Sequence, residues 1–262
     1  MIAVIYEQLT ELRLHAMKAE LMRQQSVPAI DSLSFEERLG MLAQQQIDAR
    51  RDAKTKRLLR TAQLRDPTAS LRNIHYSPQR NLERALVARL SNCSFITQNR
   101  HIMITGATGT GKSWIASAFG REACILGYSA RCYRLPRLLV ELANSRADGS
   151  FFKLMHNLKK PHLLIIDDFG LQRLDPEACR DLLEVIEDRY MVERPMIITS
   201  QLPMSKWIEV FKDLTIADAI MDRLVHNCFN IELKGPSLRA SVRESEDNIL
   251  LNSQNRDEED KL

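Results

Sequence analysis

The apolar residues near the start of the chain recur at the spacing of a helix. Intervals of three and four residues place on one helix face the residues Ile5, Leu9, Leu12, Ala16 and Met17. Pro28 is expected to end this first helical stretch. Ser34 and Glu37 form a capping-box pattern, because the serine oxygen and the glutamate carboxylate can each bind a free backbone amide at a helix start. A second long helix is therefore predicted to begin there and run towards Leu64.

Beyond residue 70, short apolar runs alternate with amphipathic stretches. The apolar runs have the length and the bounded character of buried strands, and they lie at residues 101–105, 130–133, 163–167, 196–199 and 229–233. Helices are predicted between them, at residues 114–126, 138–147, 176–190 and 217–224. Such alternation is typical of βαβ units and a mostly parallel sheet covered on both faces. The pattern therefore predicts an α/β fold with a parallel sheet between helices, preceded by a small all-helical domain.

The composition is that of an ordinary folded protein. Hydrophobic residues make up 44% and charged residues 27% of the 262, which argues against bulk disorder, collagen-like repeats and coiled coils. The longest aliphatic run, residues 163–166, is far shorter than the roughly 20 apolar residues of a membrane span. Glu7 and Glu11 interrupt the apolar stretch that a secretory signal needs. The five cysteines are widely spaced, with no Cys-x-x-Cys pair, so a reduced, cytoplasmic setting is expected rather than a zinc or redox site.

Charge is distributed unevenly, although the formal net charge is only +3. Residues 50–65 form a basic segment, opposed only by Asp52, that contains Arg50, Arg51, Lys54, Lys56, Arg57, Arg60 and Arg65. Residues 244–262 are mainly acidic and predict a solvated, disordered tail. Pro67 breaks the long helix, because proline disfavours helical backbone in the residue before it. We therefore predict a helical domain over residues 1–66, an α/β domain over 67–243 and an acidic tail over 244–262.

The residues after the first predicted strand match a phosphate-binding loop. This P-loop leads into a helix and consists of Gly106, Ala107, Thr108, Gly109, Thr110, Gly111, Lys112 and Ser113. Glycines let the backbone amides face phosphate oxygens, and the helix N-terminus adds a favourable dipole. Lys112 is expected to reach the β- and γ-phosphates, and Ser113 is expected to bind Mg²⁺. Trp114, the next residue, completes the predicted nucleotide-binding set.

Carboxylates and amides follow two other predicted strands. Asp167 and Asp168 end the strand at residues 163–167, so Asp167 is expected to hold Mg²⁺, a cation that prefers oxygen ligands. Asp168 is placed to orient and activate an attacking water as general base. After the strand at residues 196–199, Ser200 or Gln201 is expected near the γ-phosphate and this water.

Two late arginines are candidates for stabilising the charge of a transferring phosphoryl group. Arg223 ends an amphipathic helix, and Arg239 follows a turn at residues 235–237. As isolated residues, both would more often be surface ion-pair partners. Because small-molecule kinases also carry P-loops, nucleotide binding by itself leaves the acceptor of the phosphoryl group open.

The ordered set of motifs resembles an AAA+ ATPase, specifically the IstB family of insertion-sequence transposition helpers. The resemblance covers most of the chain. The sequence segments that carry it include Asp167-Asp168-Phe169-Gly170, Glu187-Asp188-Arg189-Tyr190, Thr199-Ser200-Gln201-Leu202-Pro203 and Asp222-Arg223-Leu224. It implies an AAA+ core with a five-stranded parallel sheet. DnaC-type helicase loaders share this core, but their sequence pattern matches the segments around it less well.

The resemblance also implies a function and roles for individual residues. The family assembles on duplex DNA as an ATP-dependent homo-oligomer, selects or remodels the target, and recruits and stimulates its partner transposase. By position, Gly106, Gly109, Gly111, Lys112 and Ser113 resemble Walker A, and Asp167 and Asp168 resemble Walker B. Gln201 resembles sensor 1, Arg223 an arginine finger acting in trans and Arg239 sensor 2. Because Asp168 is shorter than the glutamate of many AAA+ proteins, hydrolysis is expected to be slow until DNA or the transposase increases it.

The basic segment is a candidate DNA-binding surface. Its cations can neutralise backbone phosphates with little sequence information, and the predicted contacts are Arg50, Arg51, Lys54, Lys56, Arg57 and Arg60. A solvated helix face would have the same composition, and the resemblance favours DNA. No recognition-helix or zinc-finger pattern is present, so binding is expected to be non-specific. A helicase loader and a small-molecule phosphotransferase remain as alternative functions.

Overall fold

A computed structural model of the protein describes residues 2–27, 30 and 32–238. The chain contacts divide it into two compact units, Met1–Arg57 and Leu58–Leu262. The division falls earlier than the predicted boundary after residue 66. Leu58 and Ala62 are buried in the apolar core of the second unit, so the last turn of the long helix packs with that unit rather than with the first. The predicted acidic tail, 244–262, lies outside the described residues.

The N-terminal apolar pattern corresponds to two helices rather than one. Helix α1 spans Ile2–Glu11 and helix α2 spans His15–Ser26, with Arg13 in the left-handed conformation between them. The chain turns here, and the Tyr6 hydroxyl donates to Gln25 Oε1 of α2 at 2.5 Å. The prediction of one continuous apolar face was therefore wrong, and Leu12 is exposed. Pro28, the predicted terminator, lies outside the described residues.

The second predicted helix is confirmed as α3, Phe35–Ala62. Its capping box is formed in both directions: the Ser34 amide donates to Glu37 Oε2 at 2.8 Å, and the Glu37 amide donates to Ser34 Oγ at 3.2 Å. Gln24 of α2 is buried and donates to the Arg38 carbonyl at 3.2 Å. Polar contacts, including one from the Met17 amide to Gln46 Oε1 at 3.3 Å, thus join these two helices. No helix in the described part of the chain is long and apolar enough to cross a membrane.

The second unit contains the predicted parallel sheet. Its strands are β1 His101–Gly106, β2 Ala130–Arg134, β3 Leu163–Phe169, β4 Met196–Ser200 and β5 Cys228–Leu233. All pairings are parallel, in the order β2-β3-β4-β1-β5. The helices are α4 Arg84–Leu90, α5 Ser94–Thr97, α6 Lys112–Ile125, α7 Leu135–Asp148, α8 Phe151–Lys159, α9 Pro176–Met191 and α10 Leu214–Val225. The pattern did not predict α4, α5 and α8. Short 3₁₀ turns lie at Leu71–Asn73, Pro78–Arg80 and Met204–Val210.

The core lies on both faces of the sheet. Successive residues of a strand point to opposite faces, so Ile102 and Ile104 pack towards α6 while Met103 packs towards α7–α10. The same alternation holds for Ile165 and Ile166. Both faces are covered, which explains why these strands appear as uninterrupted apolar runs in the sequence.

One fully buried cation joins the ends of several elements on the second face. The guanidinium of Arg189 in α9 donates to the carbonyls of Leu158, Pro161 and Pro195 at 2.8–3.1 Å. Burial, and then the charge of Arg194, lower the pKa of Arg189 to about 9. Its carbonyl partners come from both the α8–β3 and the α9–β4 connections, so Arg189 fixes where β3 and β4 begin.

His101, at the start of β1, makes stability depend on pH. The side chain is buried, and its Nδ1 accepts a hydrogen bond from the Met196 amide at 3.0 Å. Burial, and then the charge of Arg189, lower its pKa to about 4. The unfolded pKa is about 6.5, so the unfolded state takes up the proton first as the pH falls. The stability due to neutral His101 is complete above about pH 6.5 and is lost progressively towards pH 4.

We expect the wild-type free energy of unfolding to fall by about 2 kcal/mol between pH 7 and pH 5 through His101. In His101→Gln, which keeps an acceptor for the Met196 amide, this part of the pH dependence should disappear. Urea unfolding followed by circular dichroism at both pH values measures it. His156→Gln, at an exposed position of α8, is the control and should behave as the wild type. An unchanged pH dependence in His101→Gln would assign the effect to another group.

Candidate nucleotide-binding site

The P-loop joins β1 to α6 through three glycines with positive φ. Gly106, Gly109 and Gly111 have φ values of 146°, 85° and 92°, a region that other residues rarely adopt. A Cβ on Gly106 would lie 2.3 Å from the Leu233 carbonyl oxygen, and one on Gly109 would lie 2.0 Å from Ser237 Oγ. The loop thus needs glycine both for its backbone conformation and for the close approach of the chain that follows β5.

Lys112 lies at the N-terminus of α6, where unpaired amides and the helix dipole favour an anion. Its side chain is buried, and Nζ donates to the Ala107 carbonyl across the loop at 2.8 Å. Arg80 supports the loop from behind, donating to the Thr110 carbonyl at 2.8 Å. The Leu238 amide donates to the Gly109 carbonyl at 3.0 Å. Arg80 and Leu238 therefore both hold the loop backbone, and the Lys112 ammonium group lies within the loop.

The two aspartates at the end of β3 do not follow the alternation of a regular strand. Asp168 has a φ of 64°, and the register between β3 and β4 shifts between Ile166 and Phe169. This local turn places both carboxylates on the same side, where Asp167 Oδ2 and Asp168 Oδ2 contact one nitrogen of Arg65. Aspartate tolerates the left-handed region better than most residues, which allows the turn at this position.

Asp167 is almost completely buried and is satisfied by hydroxyl groups. Its Oδ1 accepts from Ser113 Oγ at 2.7 Å and from Thr199 Oγ1 at 2.5 Å. Ser113 and Asp167, the predicted metal ligands, therefore lie within one hydrogen bond of each other. Mg²⁺ in nucleotide sites uses few protein oxygens and completes its shell with water and phosphates, so this donor pair fits that ion.

The polar residues at the end of β4 divide between structural and site positions. Thr199 accepts from the Asp168 amide at 3.2 Å as well as donating to Asp167, so it fixes both aspartates. Ser200 is buried and donates to the Phe169 carbonyl at 2.8 Å. Gln201 lies in the cavity, and its Oε1 accepts from Thr108 Oγ1 at 2.8 Å. Of the two predicted candidates, the structure thus places Gln201, and not Ser200, beside the phosphate loop.

Sequence reasoning missed two arginines of the site. Arg65 contacts both aspartates and lies 3.4 Å from Ser113 Oγ, although its position suggested only membership of the basic segment. Arg134, at the end of β2, donates to Asp168 Oδ2 at 2.8 Å. Burial lowers the pKa of Arg65, but the hydrogen bond and charge of Asp167, together with Asp168, raise it above its ordinary value overall. Neither arginine belongs to a local motif, so only the fold could reveal them.

These groups surround an open cavity of about 700 Å³. Its lining combines predicted residues with newly found ones, and includes Thr108, Gly109, Gly111, Lys112, Ser113, Trp114, Asp168 and Gln201, together with Arg65, Asp66, Arg134, Leu171 and Leu238. Gly106, Ala107 and Thr110 belong to the loop but do not line the cavity. Asp167 lies just behind the lining, within reach of Ser113. Trp114 offers the cavity an aromatic surface.

The remaining predicted residues lie elsewhere. Arg223, in the last turn of α10, donates to Glu187 Oε1 at 2.7 Å and to the Ala219 carbonyl at 2.8 Å. It lines a separate hollow with the exposed residues Tyr190 and Met191. Arg239 lies outside the described residues. The predicted DNA contacts all lie on α3 and are exposed: Arg50, Arg51, Lys54, Lys56, Arg57 and Arg60.

The sequence profile of the IstB-like ATP binding protein family matches residues 7–246. The chain belongs to this family. It is 43% identical over 213 residues to an insertion-sequence ATP-binding protein of Sinorhizobium fredii, covering 81% of this chain and 86% of the relative. It is also 43% identical over 198 residues to the ATP-binding protein of insertion sequence IS1162 of Pseudomonas fluorescens, covering 76% and 85%.

Solved structures give the fold. DnaI aligns with a TM-score of 0.56 at 20% identity, covering 68% of this chain and 94% of DnaI. The DnaC helicase loader aligns at 0.53 and 16% identity, covering 63% and 97%. The replication initiator DnaA, bound to AMPPCP and single-stranded DNA, aligns at 0.53 and 18%, covering 65% and 51%. These likenesses show an AAA+-type fold, as the sequence predicts.

The close packing of Gly109 generates a prediction. Gly109→Ala should weaken nucleotide binding by at least roughly tenfold, because its Cβ cannot coexist with Ser237 in the present loop conformation. Titration with a fluorescent ATP analogue measures the affinity. Gly149→Ala is the matched control, since Gly149 has a φ of 78° but no atom within 4 Å of the added Cβ. Equal affinities in the two variants would contradict the assignment of the loop.

Proposed function

We propose that this protein is an ATP-hydrolysing regulator of transposition that assembles on duplex DNA and acts on a partner transposase. In this proposal it selects or remodels target DNA, recruits the transposase and stimulates it. The observation that carries the proposal is a complete P-loop and paired aspartates around one cavity, in a chain whose relatives are ATP-binding proteins of insertion sequences.

The cavity supports binding of a nucleoside triphosphate with Mg²⁺. Lys112 and the first amides of α6 would hold the phosphates, and Ser113 Oγ with Asp167 Oδ1 would hold the metal ion. When bound, Mg²⁺ would neutralise charge that develops on the phosphates. Because Thr199 already orients Asp167, these ligands are placed without rearrangement of β3 or β4.

Slow hydrolysis is supported by the surroundings of Asp168. As the general base, Asp168 must accept a proton from the attacking water, and Gln201, which lines the same cavity, would orient this water. One oxygen of Asp168 accepts from both Arg65 and Arg134. A base engaged by two guanidinium groups and carried on a short side chain is poorly placed for reaction, so an activating partner is expected to improve its position.

The position of Arg223 supports the proposal that the active site is shared between subunits. Within one chain it does not line the nucleotide cavity, and about a quarter of its side chain is exposed. An arginine at a solvent-facing hollow can complete a neighbour's site and stabilise the charge of the transferred phosphoryl group. We therefore propose that Arg223 acts in trans and that the protein works as a homo-oligomer. Arg239 remains our proposed sensor 2 on sequence grounds.

Arg223→Ala should lower ATP turnover by roughly a thousandfold, the usual contribution of an arginine finger, while nucleotide affinity stays unchanged. Lys112→Ala should lose both ATP turnover and nucleotide affinity. Mixing the two inactive variants should restore part of the turnover, because Lys112→Ala subunits supply Arg223 to the intact loops of Arg223→Ala subunits. Arg180→Ala, at an exposed position of α9, is the control and should keep wild-type turnover. Failure of the mixture to regain activity would contradict catalysis in trans.

The exposed cations of α3 support non-specific binding to duplex DNA. Phosphate contacts of this kind release counterions, so the affinity should fall steeply with salt. The contacts proposed are Arg50, Arg51, Lys54, Lys56, Arg57 and Arg60. Side chains on a regular helix can follow the phosphate backbone without reading base edges.

Replacing Arg50, Lys54 and Arg60 together by glutamine should weaken duplex binding and reduce the slope of log affinity against log salt by up to about 2.7. Glutamine keeps helix propensity, so α3 should remain folded. Fluorescence anisotropy of a labelled duplex between 50 and 200 mM salt measures the slope. The control replaces the exposed residues Lys153, Lys160 and Lys206 in the same way. If both triple variants have equal slopes, the DNA surface is not on α3.

The same assay tests the alternative functions. A helicase loader should prefer single-stranded DNA, and a small-molecule phosphotransferase should turn over ATP as a monomer without responding to DNA. Sizing of the complexes with ATP and duplex DNA, together with a pull-down against the transposase, tests the assembly. Large ATP-dependent assemblies on duplex DNA would support the proposed function.

A further inference from the structure

Arg65 lies where the long basic helix connects to the nucleotide site. The helix α3 ends at Ala62, and Gln63 follows in the left-handed conformation with a φ of 49°. Arg131 donates to the Thr61 carbonyl at 2.8 Å. These contacts fix the end of α3 against β2 and direct the next residues across α6.

Leu64 and Asp66 hold Arg65 from both sides. Leu64 packs on Gly120 of α6 so closely that a Cβ on Gly120 would lie 2.7 Å from Leu64 Cδ2. The Asp66 amide donates to Ser117 Oγ at 3.3 Å, and this hydroxyl donates to the Ser113 carbonyl at 2.8 Å. The segment 63–66 thus lies along the first turns of α6, the helix whose N-terminus carries Lys112.

The guanidinium of Arg65 binds the same groups that the proposed metal ion requires. One nitrogen, Nη1, contacts Asp167 Oδ2 and Asp168 Oδ2 and lies 3.4 Å from Ser113 Oγ. A divalent cation bound by Asp167 and Ser113 would face this positive charge at contact distance, where repulsion in a partly buried site is strong. The two cations therefore compete for the carboxylate of Asp167.

Arg134 allows Arg65 to be exchanged for a metal ion without leaving the Asp168 carboxylate unpaired. It binds Asp168 Oδ2 through Nε at 2.8 Å, so Asp168 keeps a cationic partner when Arg65 moves away. Asp167 would then exchange the guanidinium for the metal ion. The side chain of Arg65 is about one-third exposed, which leaves it room to leave the carboxylates towards solvent.

We propose that Arg65 is an internal competitor of Mg²⁺ that couples the end of α3 to the nucleotide site. Binding of Mg²⁺ and nucleotide displaces the guanidinium, and anything that draws the end of α3 away from α6 lowers the Mg²⁺ concentration that binding requires. Coupling of two binding equilibria is reciprocal, so DNA on α3 and Mg²⁺ at Asp167 should favour each other. This last step rests on the proposed DNA binding, whereas the competition itself does not.

The competition can be measured without turnover. Binding of Mn²⁺ to the nucleotide-free, full-length protein, followed by electron paramagnetic resonance, should be stronger in Arg65→Gln by roughly 5- to 150-fold, the usual range for coupled equilibria. The Mg²⁺ concentration that gives half-maximal binding of a fluorescent ADP analogue should fall in parallel. Arg65→Lys, which keeps the charge but loses the planar fork, should lie between wild type and Arg65→Gln.

Arg72→Gln is the matched control. Arg72 is an exposed cation in the same connecting region, in the 3₁₀ turn Leu71–Asn73, and does not line the nucleotide cavity. Its Mn²⁺ affinity should equal that of the wild type. If Arg65→Gln binds Mn²⁺ with wild-type affinity or more weakly, while circular dichroism shows both variants folded, the competition is refuted. A weaker affinity would instead assign Arg65 to holding the carboxylates in place.

The coupling to α3 is tested by adding saturating duplex DNA. In the wild type, DNA should strengthen Mn²⁺ binding, and in Arg65→Gln it should have little further effect. Duplex that binds but leaves the wild-type Mn²⁺ affinity unchanged would overturn the coupling. If the wild type does not bind duplex at all, the proposed function fails, and the DNA-free measurement still decides whether Arg65 competes with the metal ion.

Discussion

The buried carboxylate of Asp167 is the interaction on which the site depends. A carboxylate with about 1% of its surface exposed must be paired or hydrogen-bonded, because burying an unpaired charge costs several kcal/mol. Its partners come from three other parts of the chain: Ser113 at the start of α6, Thr199 in β4 and Arg65 after α3. Satisfying this one charge therefore brings together the phosphate loop, the neighbouring strand and the connection from the N-terminal helices. A structural requirement and a functional arrangement are met by the same contacts.

Strand order explains why these partners meet. The P-loop follows β1, the aspartates lie at the end of β3, and β4 lies between the two strands. In a parallel sheet the carboxyl ends share one edge, where ligands of open α/β sheets bind. From the end of β4, Gln201 contacts Thr108 after the neighbouring strand β1, and Thr199 contacts Asp167 of the other neighbour, β3. The order β2-β3-β4-β1-β5 thus places each polar strand end within reach of the phosphate loop.

Local features of the fold and site could be predicted from the sequence, and features that depend on distant residues could not. The P-loop, the buried strands and the Ser34 capping box are encoded in neighbouring residues, and each was predicted at its place. The break at Arg13 was missed because helical spacing continues across it. The left-handed backbone of Asp168 could not be predicted, because an apolar run followed by two aspartates is equally typical of a regular strand that enters a polar turn. In the sequence, Arg65 is one of the cations of the basic segment 50–65, and nothing nearby distinguishes it from the others. Arg134 is the last residue of the edge strand β2 and lies far from either aspartate in the chain.

The arginines of the protein lie in two places that differ in their relation to the site. Arg65 and Arg134 bind the aspartates from within the chain, whereas Arg223 lies on a separate surface, paired with Glu187. Inside one subunit, positive charge is thus directed at the two aspartates proposed to bind metal and activate water, and the arginine proposed to assist the reaction lies outside the cavity. In the proposed mechanism, an isolated subunit arranged in this way is in a resting state. Turnover would then require two changes that the proposed assembly on DNA can provide together: the release of Asp167 by Arg65 and the arrival of Arg223 from a neighbour. The slow hydrolysis expected from the short side chain of Asp168 follows equally from this arrangement of charge.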